Sequence, residues 1–274
     1  MRFSPQDQNI LDHLHKAKTA HPHLEALFRF YGQLFQVQFT FKACLKEDRH
    51  IEYLEDKEID LASLASGIPQ VSFDELRIEA ALVIGFYRDI AALLIRDTGY
   101  LPSDNGEPQP EAILDYAGEI FNSRVPLVGA GQPADAIRTA SGLVLAPYLQ
   151  LACERIMPRI NQDAWHRGYC PVCGGAPSFA VVHADPGFRT LFCPRCNAEW
   201  RFRRMGCPFC LERDHQTYYP SEEGGYRLYV CGACHRYLKS LDTRESASER
   251  CLPVEALATV SMDIAALEKG CLFF

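Results

Sequence analysis

Four Cys-x-x-Cys pairs inside one window of 65 residues constrain this 274-residue chain more than anything else in it. They are Cys170/Cys173 in CPVCGG, Cys193/Cys196 in CPRCNA, Cys207/Cys210 in CPFCLE and Cys231/Cys234 in CGACHR. A two-residue spacer lets the backbone wrap so that both sulfurs face one ion at about 2.3 Å, and it leaves neighbouring amides free to donate to the thiolates. One such pair is weak evidence. Four pairs are enough for two ions held by four thiolates each, and an S₄ site accepts iron or zinc. With all four positions filled, such a site has no place for water or substrate and is structural or electron-transferring rather than hydrolytic.

The pairs are separated by 19, 10 and 20 residues, which matches zinc-ribbon spacing twice over or exceeds it very slightly. The CPxC knuckles are rubredoxin-like as well as ribbon-like. Three pairings are possible. The sequential one joins Cys170/Cys173 to Cys193/Cys196 and Cys207/Cys210 to Cys231/Cys234, because each 19- or 20-residue interval holds one hairpin that returns the second knuckle to the first. Cross-braced pairing is the rival. The 10-residue interval then links the two units, and its WRFRRMG alternates aromatic and basic residues as an exposed strand does. His166, His183, His215 and His235 flank the knuckles and read as surface residues, since eight cysteines already saturate two sites. Cys44, Cys153, Cys251 and Cys271 lack partner spacing and read as buried apolar thiols. Thioredoxin-type chemistry needs one pair at a helix N-terminus in a βαβ setting, and no such setting is present.

Composition is that of an ordinary globular chain, with 47% hydrophobic and 23% charged residues. The start, MRFSPQDQ, has no apolar signal region, and no run approaches a membrane span. The expected location is therefore the cytoplasm, where thiols stay reduced and favour metal over disulfides. The net charge of −7 divides as −8 over residues 1–164, +4 over 165–244 and −3 over 245–274. Eight thiolates with two divalent ions would contribute −4 and cancel the apparent basic patch. Arg201, Arg203 and Arg204 with Trp200 and Phe202 between them leave open a zinc-ribbon nucleic-acid-binding regulator. The overall acidity weighs against nucleic acid.

The organisation is α+β. A helical domain is expected over 1–163, a first ribbon module over 164–206, and a second over 207–274 that ends in a helix. Ser4-Pro5 starts one helix and Pro22 opens a segment with Leu24, Leu27, Phe28, Tyr31 and Phe35 at helical spacing. Ser72 and Glu75 form a capping-box signature ahead of a periodic run from Leu76 to Leu94, with Gly99 as its stop. Residues 101–110 and 125–133 read as breaks around a helix from Glu111 to Phe121. Periodicity resumes from Ala134 to Ile160, where Pro147 should kink or divide the helix. Short strands are expected at 178–182, 188–192, 199–203 and 226–230. Pro253 opens a last helix that carries Val254, Leu257, Ile264 and Leu267 and ends at Gly270.

The ordered set GYCPVCGGAP, FRTLFCPRCNAEWRFRRMGCPFC, CGACHRYLKSLDTR and LATVSMDIAALEKG closely resembles the formate dehydrogenase accessory protein FdhE family over residues 165–270. That resemblance implies a cytoplasmic, non-catalytic factor needed for formate dehydrogenase to become active. It implies contact with the dehydrogenase catalytic subunit and rubredoxin-like sites at the eight knuckle cysteines.

Overall fold

The computed structural model describes residues 3–49, 52–98, 108–124, 136–183, 188–214, 216–221, 225–243 and 250–272. Ser4 Oγ accepts from the Asp7 N–H at 3.1 Å and Pro5 occupies the first turn, so α1 runs Pro5–Ala20. Pro22–Leu24 forms a 3-10 turn that leads into α2, Glu25–Glu47. A short α3, Leu61–Ser66, follows. The Ser72/Glu75 box forms, but it closes a single 3-10 turn at Asp74–Leu76 rather than the long helix. Arg77 then takes a left-handed φ of 46°, which no right-handed helix absorbs, and α4 occupies Ala80–Thr98. Its expected stop, Gly99, lies outside the described residues, as do 101–107 and 125–135 of the expected breaks and helix start. Helix α5 spans Pro110–Ser123.

Helices α6, Ala136–Leu143, and α7, Leu145–Ile156, divide at Val144 rather than at Pro147 itself. The last expected helix is also divided, into α8, Leu252–Ala258, and α9, Val260–Glu268. The cause of that second break is a buried lysine. Lys239 Nζ donates to the carbonyls of Ala256 (2.7 Å) and Thr259 (3.4 Å) at the end of α8 and pairs with Asp263 at 2.6 Å. Ile264, expected to be apolar-facing, is consequently exposed.

Six strands form one sheet: β1 Phe179–Val182, β2 Phe188–Phe192, β3 Glu199–Arg203, β4 Gln216–Pro220, β5 Tyr226–Cys231 and β6 Tyr237–Asp242. Their order is β3-β2-β1-β6-β5-β4. Each half repeats one plan of knuckle, strand, strand, knuckle, strand, and the middle strand pairs antiparallel with both neighbours. The halves join where β1 runs parallel to β6, with Phe179 opposite Lys239 and Val182 opposite Asp242. The strand β3 alternates as its sequence suggests, with Trp200 and Phe202 buried and Glu199 and Arg201 outward.

The main apolar core runs without interruption from the helices into the first knuckle pair, uniting Leu34, Ile90, Tyr148 and Ile156 with Trp165, Cys170, Cys193 and Trp200. Backbone bonds lace the two parts together, from Gln70 N–H to the Pro171 carbonyl and from Val71 N–H to the Val172 carbonyl, both 2.9 Å. The α6–α7 break is stabilised from inside this core. Pro147 has no N–H for the carbonyl four residues earlier, and Gln38 Nε2 supplies the missing donor to Leu143 at 3.2 Å. Gln38→Leu, which fills similar space without a donor, should leave that buried carbonyl unpaired and cost about 1–3 kcal/mol, read as a fall in the urea midpoint with an unchanged slope.

Candidate metal centres

All four knuckles fold identically. The N–H of the residue after the second cysteine turn donates back to the first cysteine carbonyl: Gly174 to Cys170 (2.9 Å), Asn197 to Cys193 (3.0 Å), Leu211 to Cys207 (3.0 Å) and His235 to Cys231 (2.8 Å). The first cysteine N–H then donates to a carbonyl further on, at Gly175, Ala198, Glu212 and Arg236 respectively. This closure places one residue per knuckle in the left-handed region, with φ of 72°, 60°, 67° and 59° for Gly174, Asn197, Leu211 and His235. Gly and Asn suit that backbone, whereas Leu211 and His235 are strained there.

The knuckles bring the eight sulfurs into two groups, Cys170/Cys173/Cys193/Cys196 and Cys207/Cys210/Cys231/Cys234, and within each group all sulfurs lie within 4.8 Å of one another. In the first group Cys170 and Cys196 are 3.5 Å apart, Cys173 and Cys193 3.6 Å, and Cys173 and Cys196 3.7 Å. In the second, Cys207 and Cys234 are 3.7 Å apart and Cys210 and Cys231 3.6 Å. A tetrahedron with metal–sulfur bonds of about 2.3 Å has edges of about 3.8 Å, so both groups have the dimensions to hold an ion. Grouping follows the sequential scheme and leaves no sulfur shared between groups.

The first group is wholly buried; in the second, Cys210 is exposed and Cys234 half-buried. Burial pushes the Cys170 and Cys196 thiols well above their ordinary value. Hydrogen bonds from Cys170, Cys193 and Cys196 hold Cys173 well below it, helped by the charge of Arg195. Burial also raises Cys207, against backbone N–H groups of Cys210 and Phe209 that pull it down. Four thiols this close resist losing four protons unless a cation supplies compensating charge, so ion binding and deprotonation are linked. Gly168 positions the second group: a Cβ there would sit 1.9 Å from the Pro208 carbonyl oxygen, so only glycine lets the third knuckle reach the 165–169 loop.

Other candidate residues fall as follows. His166 and His235 are exposed, and neither belongs to a sulfur group. His183 is partly buried and its Nε2 lies 2.8 Å from Thr190 Oγ1. His215 lies outside the described residues. Cys251 is buried among apolar side chains, while Cys44 and Cys271 are only partly buried. Cys153 is not merely an apolar filler, because it lies beside Cys196 of the first group and adds to the rise of that thiol above its ordinary value. Spacing carried no signal for that contact, which arises from packing α7 on the second knuckle. Trp200 and Phe202 are 1% and 4% exposed, so neither ring is open to stack a base. Arg201 lies over the Phe188 ring at 4.5 Å and pairs with Asp163 at 3.4 Å.

Residues 169–204, from the first knuckle through β3, match the family model described as FdhE, central domain. The chain is FdhE-like. It is 32% identical over 132 residues to an FdhE homologue of Haemophilus ducreyi, covering 47% of this chain and 43% of that protein. It is 32% identical over 179 residues to the FdhE homologue of Aquifex aeolicus, covering 61% and 62%. With the Pasteurella multocida homologue it shares 37% over 109 residues, covering 37% and 34%. These matches thus span less than two thirds of each relative. The crystal structure of the FdhE protein from Pseudomonas aeruginosa superposes with a TM-score of 0.55 at 22% identity, covering 96% of this chain and 91% of that one, which shows a common fold.

Three measurements follow from this FdhE-like geometry. Cys173→Ser should lose one equivalent of metal and keep the ion at Cys207, Cys210, Cys231 and Cys234; in the unmodified protein a chelator should strip that exposed second site first, giving a two-phase release followed by metal analysis. Leu211→Asn relieves the left-handed strain at an exposed side chain and should stabilise the protein by about 1 kcal/mol, seen as a higher melting temperature.

Proposed function

We propose that this protein is an accessory factor required for formation of active formate dehydrogenase, working in the cytoplasm by binding the dehydrogenase catalytic subunit rather than by catalysis of its own. The observation that carries the reading is the pair of four-sulfur groups, the first of them inside residues 169–204, which match the FdhE central domain. The eight residues Cys170, Cys173, Cys193, Cys196, Cys207, Cys210, Cys231 and Cys234 would ligate two ions, iron or zinc. Bound there, an ion crosslinks two knuckles and fixes the hairpins between them. Filled tetrahedra leave the protein a rigid shape to present, and rigid presentation lowers the ordering cost of association. No described helix is long and apolar enough to cross a membrane.

The exposure of Cys210 and Leu211 and the half-burial of Cys234 support a shape at this surface that an ion would fix. Tagged unmodified protein and Cys207→Ser should therefore differ when purified from cells making the dehydrogenase. The unmodified form should retain the catalytic subunit and the variant should lose most of it, with lower formate dehydrogenase activity and an unaltered amount of its polypeptide. Equal recovery with both defeats metal-dependent docking, and recovery with neither defeats the partner. The nucleic-acid reading predicts instead retention on heparin that declines steeply with salt.

A further inference from the structure

Two arginines are buried as completely as any apolar residue, Arg195 at 0% and Arg189 at 1% exposure. Neither meets a carboxylate among the described residues. Arg195 Nη1 donates to the Phe121 carbonyl at 3.1 Å, while its Nε and Nη2 have no hydrogen-bond partner. Arg189 Nη2 donates to the carbonyl of Gly206, and its Nε is likewise without a partner. Burial pulls Arg189 down to about 10, which still leaves it a cation at neutral pH. An unpaired guanidinium in a dry interior is among the costliest groups a fold can hold, and natural proteins pair such charges or bind an anion with them.

Each arginine lies against one sulfur group. Arg195 is part of the second knuckle, and the place a Gly175 Cβ would occupy is 2.7 Å from Arg195 Cδ, 3.1 Å from Cys193 Sγ and 3.4 Å from Cys173 Sγ. Glycine at 175 is what lets the arginine stem cross the sulfurs. Arg189 is tethered to the carbonyl immediately before Cys207 and feels the Cys207 charge. Aromatic rings cover the rest, with Phe121 5.1 Å from the Arg195 guanidinium and Phe202 5.5 Å from that of Arg189.

We infer that Arg195 and Arg189 are the buried counter-charges of the two metal–tetrathiolate centres, one each, and that they select for a bound divalent ion over the empty protein. This rests on the reading of the sulfur groups as metal sites. Four thiolates around a divalent ion carry −2, and one arginine reduces that to −1. Without the ion that full dianionic charge is not assembled beside the arginine. The buried guanidinium therefore stabilises the loaded state more than the empty one. If iron is the ion, a fixed cation beside the site also favours the more negative ferrous form over the ferric form.

The test uses the full chain and zinc alone, with each cluster isolated by one Cys→Ser change in the other. Arg195→Met should weaken zinc at the first cluster on the order of tenfold or more, a loss of about 1.4 kcal/mol per decade, and leave the second unchanged. Arg189→Met should do the reverse, and the Lys variants should retain most of the affinity. Retention by Lys together with loss in Met is an outcome that a mere packing role does not give. Unaltered zinc affinity in both Met variants, or equal loss in Lys and Met, overturns the inference. Failure of the parent itself to bind zinc or ferrous iron overturns the metal-site reading instead.

Discussion

Four sulfurs within 4.8 Å of one another, with the nearest pairs 3.5–3.7 Å apart, leave a centre of the size of one ion, and most of the C-terminal architecture serves that spacing. The knuckles achieve it locally, through two backbone hydrogen bonds each and one left-handed residue. The hairpins achieve it at longer range, because β1–β2 and β4–β5 bring each second knuckle back beside its first. Thiols so placed are mutually unfavourable as anions, so all four could be ionised together only around a cation. The strain at Leu211 and His235 persists because the closure over-determines the backbone there.

The two centres occupy different surroundings despite identical knuckles. The first is buried within the same apolar core as the helices and is backed by Phe121, Trp165 and Cys153. The second reaches solvent through Cys210, whose chain neighbour Leu211 is exposed as well. Burial limits solvent access, so the inner group is part of the hydrophobic core, whereas the outer one is open to solvent.

Features set by short sequence windows were legible beforehand: the knuckles, the caps at Ser4 and Pro5, the strands around 179–182, 188–192 and 199–203, and the sequential grouping of sulfurs. Features set by contacts between distant segments were not. The Ser72/Glu75 box has the same local pattern whether it opens a helix or closes a 3-10 turn, and Arg77 decides between them only through its backbone angle. The α8–α9 break depends on Lys239, which is a strand residue. Strand β4 is polar and exposed, so QTYYP offers no buried alternation, and β6 is buried throughout, so YLKSLD hides among polar letters. The parallel join of β1 to β6 spans some sixty residues and leaves no periodic trace. Nothing in the sequence singles out Arg189 or Arg195, because burial of a charge is a property of the assembled fold.

That parallel join has a further effect on how the molecule stops. It sets the first strand of one repeat against the last strand of the next, a head-to-tail contact rather than a two-fold one, and head-to-tail contacts that do not close generate open filaments. The free edges at the two ends, β3 and β4, are the counterparts in the other repeat of the β6 and β1 edges that meet in the middle. Growth by edge addition is opposed at both. At β3 the side chain of Gln162 accepts the Arg201 N–H at 3.0 Å and occupies a position another strand would need. At β4 the strand ends in Pro220, which has no N–H to offer. A tandem ribbon that would otherwise template its own polymer is thus terminated by one borrowed amide and one missing hydrogen.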